Sequence, residues 1–452
     1  MMKSFLRGLP AGVMLAAMTA TASAADVDLP VGNWTGFHFG AGAGYGMVDH
    51  ELEADISING FGGIGPVPPL DGVGINIGYD GIGGVGALGT VEVGYDYQLN
   101  SDFLVGLQAD FTRSNISTNI DLDANGSYSL EATDTFSVLA RGGRVIDDST
   151  LLYIIGGWTR TTMNADGSGT VGTSYDFKLT GLTFGSGVET ALSDNLTAKL
   201  EYRYTQYKDI GVASVPGILD VSAKSDVQTI RAVLSYHMGG VHKYQGDFAE
   251  ADWTGFHAGL GGGMGMVLHN LEGNTDFGGG SFNGLGGKGY FGTVEAGADY
   301  QWGERFVAGL QGDYTRSNIG TNLDVSVTNI LGIDGALSAK LEAADSFSLL
   351  ARAGLLSSPK VLWYGLAGWT RTSFKGSAEA ADSAGNVLFS GSEKLISDGL
   401  TIGAGVEGKL SDRLSWKTEY RLTSFESQDL LDTGFTADSY MQTVRTVLSV
   451  RF

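Results

Sequence analysis

Apolar and polar side chains alternate with a period of two over long stretches of the chain. In 91–97, Val91, Val93, Tyr95 and Tyr97 share one face while Glu92, Gly94 and Asp96 share the other. In 198–205, Ala198, Leu200, Tyr202 and Tyr204 oppose Lys199, Glu201, Arg203 and Thr205, and in 230–236 Ile230, Ala232, Leu234 and Tyr236 oppose Arg231, Val233 and Ser235. Period two is the signature of a strand with one oily face. The pattern predicts eight strands at 34–48, 89–99, 103–119, 133–146, 151–164, 179–192, 196–210 and 227–238, then eight more at 253–267, 292–302, 306–322, 345–357, 361–374, 399–410, 414–426 and 441–452.

The second set repeats the first. Gly89 to Thr118 matches Gly292 to Thr321 at 19 of 30 positions, and Gly181 to Arg203 matches Gly399 to Arg421 at 15 of 23. Asn33-Trp-Thr-Gly-Phe-His38 reappears as Asp252-Trp-Thr-Gly-Phe-His257. A period near 210 residues is too long for a solenoid repeat. It indicates a domain duplicated in tandem, 25–238 and 252–452, joined by a linker at 239–251. Short turns alternate with long loops rich in Gly, Asp, Ser and Asn, the longest expected at Asp49–Leu88. Long loops at one rim and tight turns at the other belong to outer-membrane barrels.

Residues 1–24 carry Lys3 and Arg7, an apolar run from Leu9 to Ala20, and Ala22-Ser23-Ala24. That order is a cleavable secretory signal peptide. No later segment is apolar for the roughly 18 residues a spanning helix needs, so any membrane this exported chain occupies must be crossed by strands.

Which strand face lies inside decides the class. Charges of both signs sit mid-strand on the polar face: Glu92, Asp96, Asp110, Arg141, Glu189, Lys199, Glu201, Arg203 and Arg231, then Glu295, Asp299, Asp313, Arg352, Glu407, Lys417, Glu419, Arg421 and Arg445. A solvated face would let such residues drift between copies, whereas an enclosed one needs them paired. Both first strands place glycine at alternate sites, Gly40, Gly42, Gly44, Gly46 and Gly259, Gly261, Gly263, Gly265, which leaves room for long side chains from the opposite wall of a narrow barrel. The expected fold is therefore all-β: an antiparallel transmembrane β-barrel, built as two tandem eight-stranded up-and-down barrels or as one sixteen-stranded ring.

With these features the chain resembles the opacity-protein-like, or "porin family", small outer-membrane barrels of Gram-negative bacteria. The features are the signal peptide, the Asn-Trp-Thr-Gly-Phe lead-in to a glycine-rich first strand, eight strands per copy and the terminal Phe452. The resemblance implies a surface protein of the outer membrane with structural, adhesive or weak pore-forming roles, no enzyme activity and no cofactor. It also implies that Phe452 is the signal read by the outer-membrane assembly machinery. It departs from that family in being doubled.

Candidate chemistry adds little. The glycine runs lack the Gly-Lys-Ser/Thr ending of a phosphate loop, and those at 60–65, 81–86 and 278–289 read as flexible surface loops. Of six histidines, His38 and His257 are equivalent interior positions, and His50, His237, His242 and His269 fall at strand ends, a loop or the linker. No zinc spacing is present, and no strand serine has a histidine retained in both copies at a plausible partner position, so acyl transfer is not expected. The acidic stretches (Asp49, Glu51, Glu53, Asp55; Asp121, Asp123; Glu379, Asp382) miss the calcium-loop pattern and read as solvated surface. Trp34, Trp158, Trp253 and Trp369 recur at matched sites, as an aromatic girdle at the lipid interface would.

Composition closes off other classes. Glycine supplies 71 of 452 residues, proline 7 and cysteine none, which excludes disulfides and thiolate chemistry. A net charge of −22 argues against a nucleic-acid partner. The expected partners are outer-membrane lipid, the assembly machinery and a ligand of the long loops. The expected function is a loop-displaying surface platform. The alternatives are a diffusion porin, because eight strands fill their own lumen and sixteen leave a channel, and a soluble exported β-sandwich binding module.

Overall fold

The computed structural model describes residues 34–58, 73–121, 126–147, 149–168, 173–215, 218–238, 240–241, 244–248, 251–275, 278–330, 333–430 and 435–452. The signal peptide, the glycines at 60–65, Asp123, His242 and part of the linker lie outside them. No helix among the described residues is long and apolar enough to cross a membrane.

The first repeat contains β1 (Gly36–Ile58), β2 (Val73–Gln98), β3 (Phe103–Asp121), β4 (Ser127–Asp147), β5 (Thr150–Ser168), β6 (Thr173–Ala191), β7 (Leu196–Tyr207), β8 (Ile210–Val215) and β9 (Leu219–His237). The second contains β10 (Gly255–Thr275), β11 (Gly278–Trp302), β12 (Phe306–Ile330), β13 (Ile333–Ser358), β14 (Val361–Asp382), β15 (Val387–Lys409), β16 (Leu414–Phe425), β17 (Gln428–Leu430) and β18 (Phe435–Arg451). The ladders are antiparallel throughout and the sheet closes on itself. β1 is laddered to β2 along one edge and to β9 along the other, from His38↔His237 to Ile56↔Leu219. β10 is likewise laddered to β11 and to β18, from His257↔Arg451 to Gly273↔Phe435.

Each repeat holds nine strand elements where eight were expected. The extra ones, β8 and β17, resume after a short break and pair with the outer parts of β9 and β18. The larger correction concerns Asp49–Leu88, expected as a loop. β1 and β2 instead remain paired out to Ile58↔Val73. The alternation there is Gly74-Ile75-Asn76-Ile77-Gly78, too poor in charge to announce a polar face. Its far edge is covered by the second repeat, where Gly74–Asp80 pairs with Asn322–Thr328 of β12. Asp121, Glu379 and Asp382 are also strand residues, of β3 and β14.

The glycines at 81–86 and 278–289 are also strand rather than loop. At Gly83 a Cβ would stand 2.9 Å from the Cα of Gly286, so both strands need glycine where the two repeats touch. Of the alternate glycines of β1, Gly42 and Gly44 answer to an adjacent strand, whereas Gly46 leaves room for the Ile116 side chain of β3. A Cβ on Gly44 would lie 2.1 Å from the Ile230 carbonyl oxygen, and one on Gly42 2.2 Å from that of Ala232.

Large apolar side chains face outward on the turn-proximal half of the strands: Val91, Val93, Tyr95 and Tyr97 on β2, Leu234 and Tyr236 on β9, Leu260 on β10 and Leu448 on β18 are all exposed. A spanning strand needs about 9–11 residues, so strands of up to 26 residues project well past that band. Between the repeats the outward faces bury each other. Met47, Met266, Leu268 and Val85 form one cluster, and Val188, Val361, Val406 and Trp416 another.

Replacing Gly44 with Val is expected to destabilise the protein by about 1–3 kcal/mol, the range for overpacking. Gly142→Val, where a Cβ meets nothing within 4 Å, should stay within about 0.5 kcal/mol. Denaturant unfolding in detergent measures both.

Candidate functional site: a layered interior

Alternation turns every second side chain inward, and the inward residues sort into layers along each strand. On β3 the order from the turn end is Leu104, Gly106, Gln108, Asp110, Thr112 and, past a bulge, Ile116. On β7 it is Thr197, Lys199, Glu201, Arg203, Thr205 and Tyr207.

The innermost layer next to the turns is apolar. Trp34, Leu104, Leu139, Val145, Leu151, Tyr153, Ile155, Ala191 and Val241 fill it in the first repeat. Trp253, Val307, Leu350, Leu356, Leu362, Tyr364 and Leu366 do so in the second. This corrects the girdle expectation for Trp34 and Trp253. Both precede the first strand, fold into the mouth and are almost fully buried, with their backbone N–H groups donating to Gln98 and Gln301. Trp158 and Trp369 do face outward.

Above that layer lie the charges, every one of the 18 anticipated residues being buried. In the first repeat Lys199 Nζ sits 2.5 Å from Glu92 and 3.7 Å from Glu189. Arg141 bridges Asp96, at 3.2 Å, and Glu189. Arg203 donates to Asp110 at 2.7 Å and to Glu201 at 2.6 Å, and Arg231 lies 3.4 Å from Asp110. The second repeat reproduces the pattern. Lys417 pairs with Glu295 at 2.7 Å and Glu419 at 3.3 Å. Arg352 joins Asp299 to Glu407, Arg421 joins Asp313 to Glu419, and Arg445 adds to Asp313 at 3.1 Å.

Several members of this network carry no charge or were not anticipated. Tyr153 and Tyr364 donate to Glu201 and Glu419 at 2.9 and 2.7 Å, and their rings lie beneath Arg141 and Arg352. His237 and Arg451 occupy equivalent positions, 2.7 Å from Glu189 and 2.8 Å from Asp299 respectively. Arg451 was legible as a polar residue in an alternating strand, but the preceding copy has His there, so internal repetition did not flag it.

Next comes a belt of hydroxyls with no signal in the sequence beyond threonine frequency. Thr159 bonds Ser137 and Thr183, and Thr183 bonds Thr205 at 2.7 Å. Thr370, Ser348, Thr401 and Thr423 repeat the chain. The belt leaves cavities of 30 and 20 Å³ in the two repeats, enough for a water or two each. The outermost layer is apolar again: Val48, Ile116, Ala132, Met163, Leu179, Tyr207 and Val227, and their counterparts Val267, Ile319, Ala343, Phe374, Phe425 and Met441.

Two side-chain pairings depart from expectation. His50 and His269 lie within strands, buried, with Nδ1 2.7 Å from Ser225 Oγ and 2.6 Å from Ser439 Oγ. A serine–histidine pair is thus kept in both copies, because β1–β9 and β10–β18 register brings together residues far apart in sequence. Neither histidine has a carboxylate to orient it among the described ion pairs, and the His269 ring packs against Phe374 of the outer apolar layer.

The acidic stretch at Asp49 and Glu51 is not solvated surface. Both carboxylates, with Asp80 and Asp226, gather around Lys288 of the second repeat. Asp49, Glu51 and Asp80 stand close enough to hold a cation, and the Lys288 ammonium fills that role. At the β14–β15 tip, the Asn386 side-chain amide holds the Asp382 carboxyl below the usual range.

Removing one partner of a buried ion pair leaves an uncompensated charge. Lys199→Met or Lys417→Met is therefore expected to cost about 3–5 kcal/mol in denaturant unfolding. Arg113→Ala, which breaks an exposed pair with Asp134, should cost less than about 1 kcal/mol.

Comparison with known proteins gives the interior its setting. The chain is 28% identical over 159 residues to the 31 kDa outer-membrane immunogenic protein of Brucella melitensis, and equally to that of Brucella suis. Each match covers 33% of this chain and 66% of the relative, so it spans just under two thirds of their length. Among solved structures, the attachment invasion locus protein Ail of Yersinia pestis, in complex with the heparin analogue sucrose octasulfate, is 15% identical. That match covers 43% of this chain and 97% of the other, with a TM-score of 0.22. A Pseudomonas aeruginosa FadL homologue is 12% identical, with 92% and 90% covered and a TM-score of 0.26. The family described as "Outer membrane protein beta-barrel domain" matches residues 12–237 and again 243–452. The chain belongs to that family, twice over, and is an outer-membrane β-barrel protein.

Proposed function

We propose that the chain forms two eight-stranded barrels fused side by side, at 25–238 and 252–452 with the linker 239–251, and serves as a non-conducting platform that displays long hairpins at the cell surface. The observation that carries this reading is the blocked interior. An apolar plug lies at each end of each repeat, and between them charges are spent on one another rather than on water. An open porin lumen would leave such charges wet. The β1–β9 and β10–β18 ladders support separate closures, since a single ring would pair β1 with β18 instead. The exposed aliphatic and aromatic outer faces favour lipid over water, against a soluble sandwich. Strands that outrun the membrane band, and relatives known as outer-membrane immunogenic proteins, fit surface display.

In this reading the exported chain loses residues 1–24. Phe452, 79% exposed and bonded through its N–H to the Phe256 carbonyl at 2.9 Å, presents its ring to the assembly machinery. The buried charges Glu92 through Arg231 and Glu295 through Arg445 act as struts that fix each wall against the other, with no catalytic step and no cofactor.

The absence of natural cysteine allows a direct test. Ala41 and Leu234 are cross-strand partners, as are Leu260 and Leu448. Ala41→Cys with Leu234→Cys, and Leu260→Cys with Leu448→Cys, should each cross-link on oxidation, while Ala41→Cys with Leu448→Cys should not. Planar bilayers should show no stable nanosiemens-scale channel. Cross-linking of the third pair together with such a channel would establish the sixteen-stranded porin instead.

A further inference from the structure

The outer half of β15 lacks a second neighbour. From Gly399 to Lys409 the strand is laddered to β14 on one side and β16 on the other. From Val387 to Ser397 the ladder to β14 continues, and among the described residues no strand pairs with the opposite edge. A row of unpaired N–H and C=O groups is a template for another strand, and proteins usually blunt it with charge. The first repeat does so. With Gly181 aligned to Gly399, Lys178 stands where the second repeat has Ile396. There Leu179 is buried, and Phe177 packs against the outer apolar layer. In the second repeat the same edge carries Leu388, Phe389 and Ile396 at 71%, 58% and 56% exposure. It is long and open, oily at both ends with Glu393 and Lys394 between them.

We propose that this edge pairs antiparallel with the same edge of a second copy of the chain, about a two-fold axis through Ser392. The sequence is self-complementary only in that register. Leu388 then faces Ile396 of the second copy, Phe389 faces Leu395, Gly391 faces Glu393 and Ser390 faces Lys394, so every large apolar residue except Val387 meets another. Moving the axis to Gly391 sets Phe389 against Glu393. Moving it to Glu393 sets that carboxylate against itself and Leu388 against Asp398. Like charges or an oily–ionic mismatch directly opposite are unfavourable in a sheet.

The pairing mode already occurs inside the molecule, where Gly74–Asp80 of β2 extends β12. Geometry then fixes the arrangement. A two-fold axis normal to the sheet reverses the strand direction, and strands of copies in one membrane all run the same way through it. The paired copies must therefore sit on facing membranes, joined hairpin to hairpin. The occupant of the edge is a second copy displayed by an opposing surface.

The test uses the full chain in phosphatidylcholine vesicles with hairpins outward. One vesicle population carries Ser392→Cys protein with one affinity tag, and a second carries it with another. Mixing and oxidation should give disulfide-linked dimers bearing both tags, and light scattering should report vesicle tethering by the unsubstituted protein. Ile396→Lys, which installs the first repeat's residue, should reduce tethering at least tenfold while the folded protein keeps its resistance to unfolding in detergent. Ser174→Cys, the equivalent site in the first repeat, should not cross-link. Mixed-tag dimers that form only when both proteins share one vesicle, or unsubstituted vesicles that stay dispersed, would overturn the proposal.

Discussion

Ionised side chains inside a protein wall must find partners before they can be left there, because removing a carboxylate or an ammonium from water costs several kcal/mol even after relaxation. Here ten carboxylates and eight basic groups anticipated on inward faces, with Arg451 and His237, lie in the interior of a β wall whose other surface is oily. That one requirement dictates much of the rest. Most of the bases contact two acids contributed by different strands, and Arg445 and His237 contact one each, Asp313 and Glu189, so the wall must hold its register for the pairs to exist. Lys199 reaches Glu92 across 107 residues of sequence, and Lys417 reaches Glu295 in the same way. The narrow bore needed to bring opposite strands within reach in turn requires glycine where neighbouring backbones crowd, as at Gly42 and Gly44.

In the proposed platform the layered interior serves to hold shape rather than to pass solutes. Apolar plugs at the two ends keep water from the ionic layer and so strengthen its attractions. Threonine and serine hydroxyls form the transition between charge and oil, accepting and donating to one another in both repeats. The two repeats differ chiefly where they meet something else: Lys288 of the second inserts among carboxylates of the first, and β2 of the first extends β12 of the second. The two interiors are nearly the same, and the repeats differ at their shared boundary and in the outer hairpins.

Much of this was legible beforehand, and the parts that were not share a cause. Period-two alternation located the membrane half of almost every strand, since there one face is charged and the other oily, as at Glu92 and Val93. Alternation fails where both faces are of similar polarity. Ile75, Asn76 and Ile77 sit against another strand rather than against lipid, and the residues around Gly83 and Gly286 look like loop because two backbones touch there. Trp34 and Trp253 were misplaced because a tryptophan next to a strand end can face lipid or fold into the mouth, and sequence alone does not choose. The pairs His50–Ser225 and His269–Ser439 depend on ladder register between the first and last strands, which spacing cannot reveal.

The orientation of the wall can be measured directly. Nitroxide labels placed one at a time at residues 232 to 236 of β9 in lipid bilayers report contact with oxygen, which concentrates in hydrocarbon, and with a nickel chelate, which stays in water. Labels at 232, 234 and 236 should be reached by oxygen, and those at 233 and 235 by neither reagent. Nickel contact at 233 and 235 with oxygen excluded from 232, 234 and 236 would contradict the account.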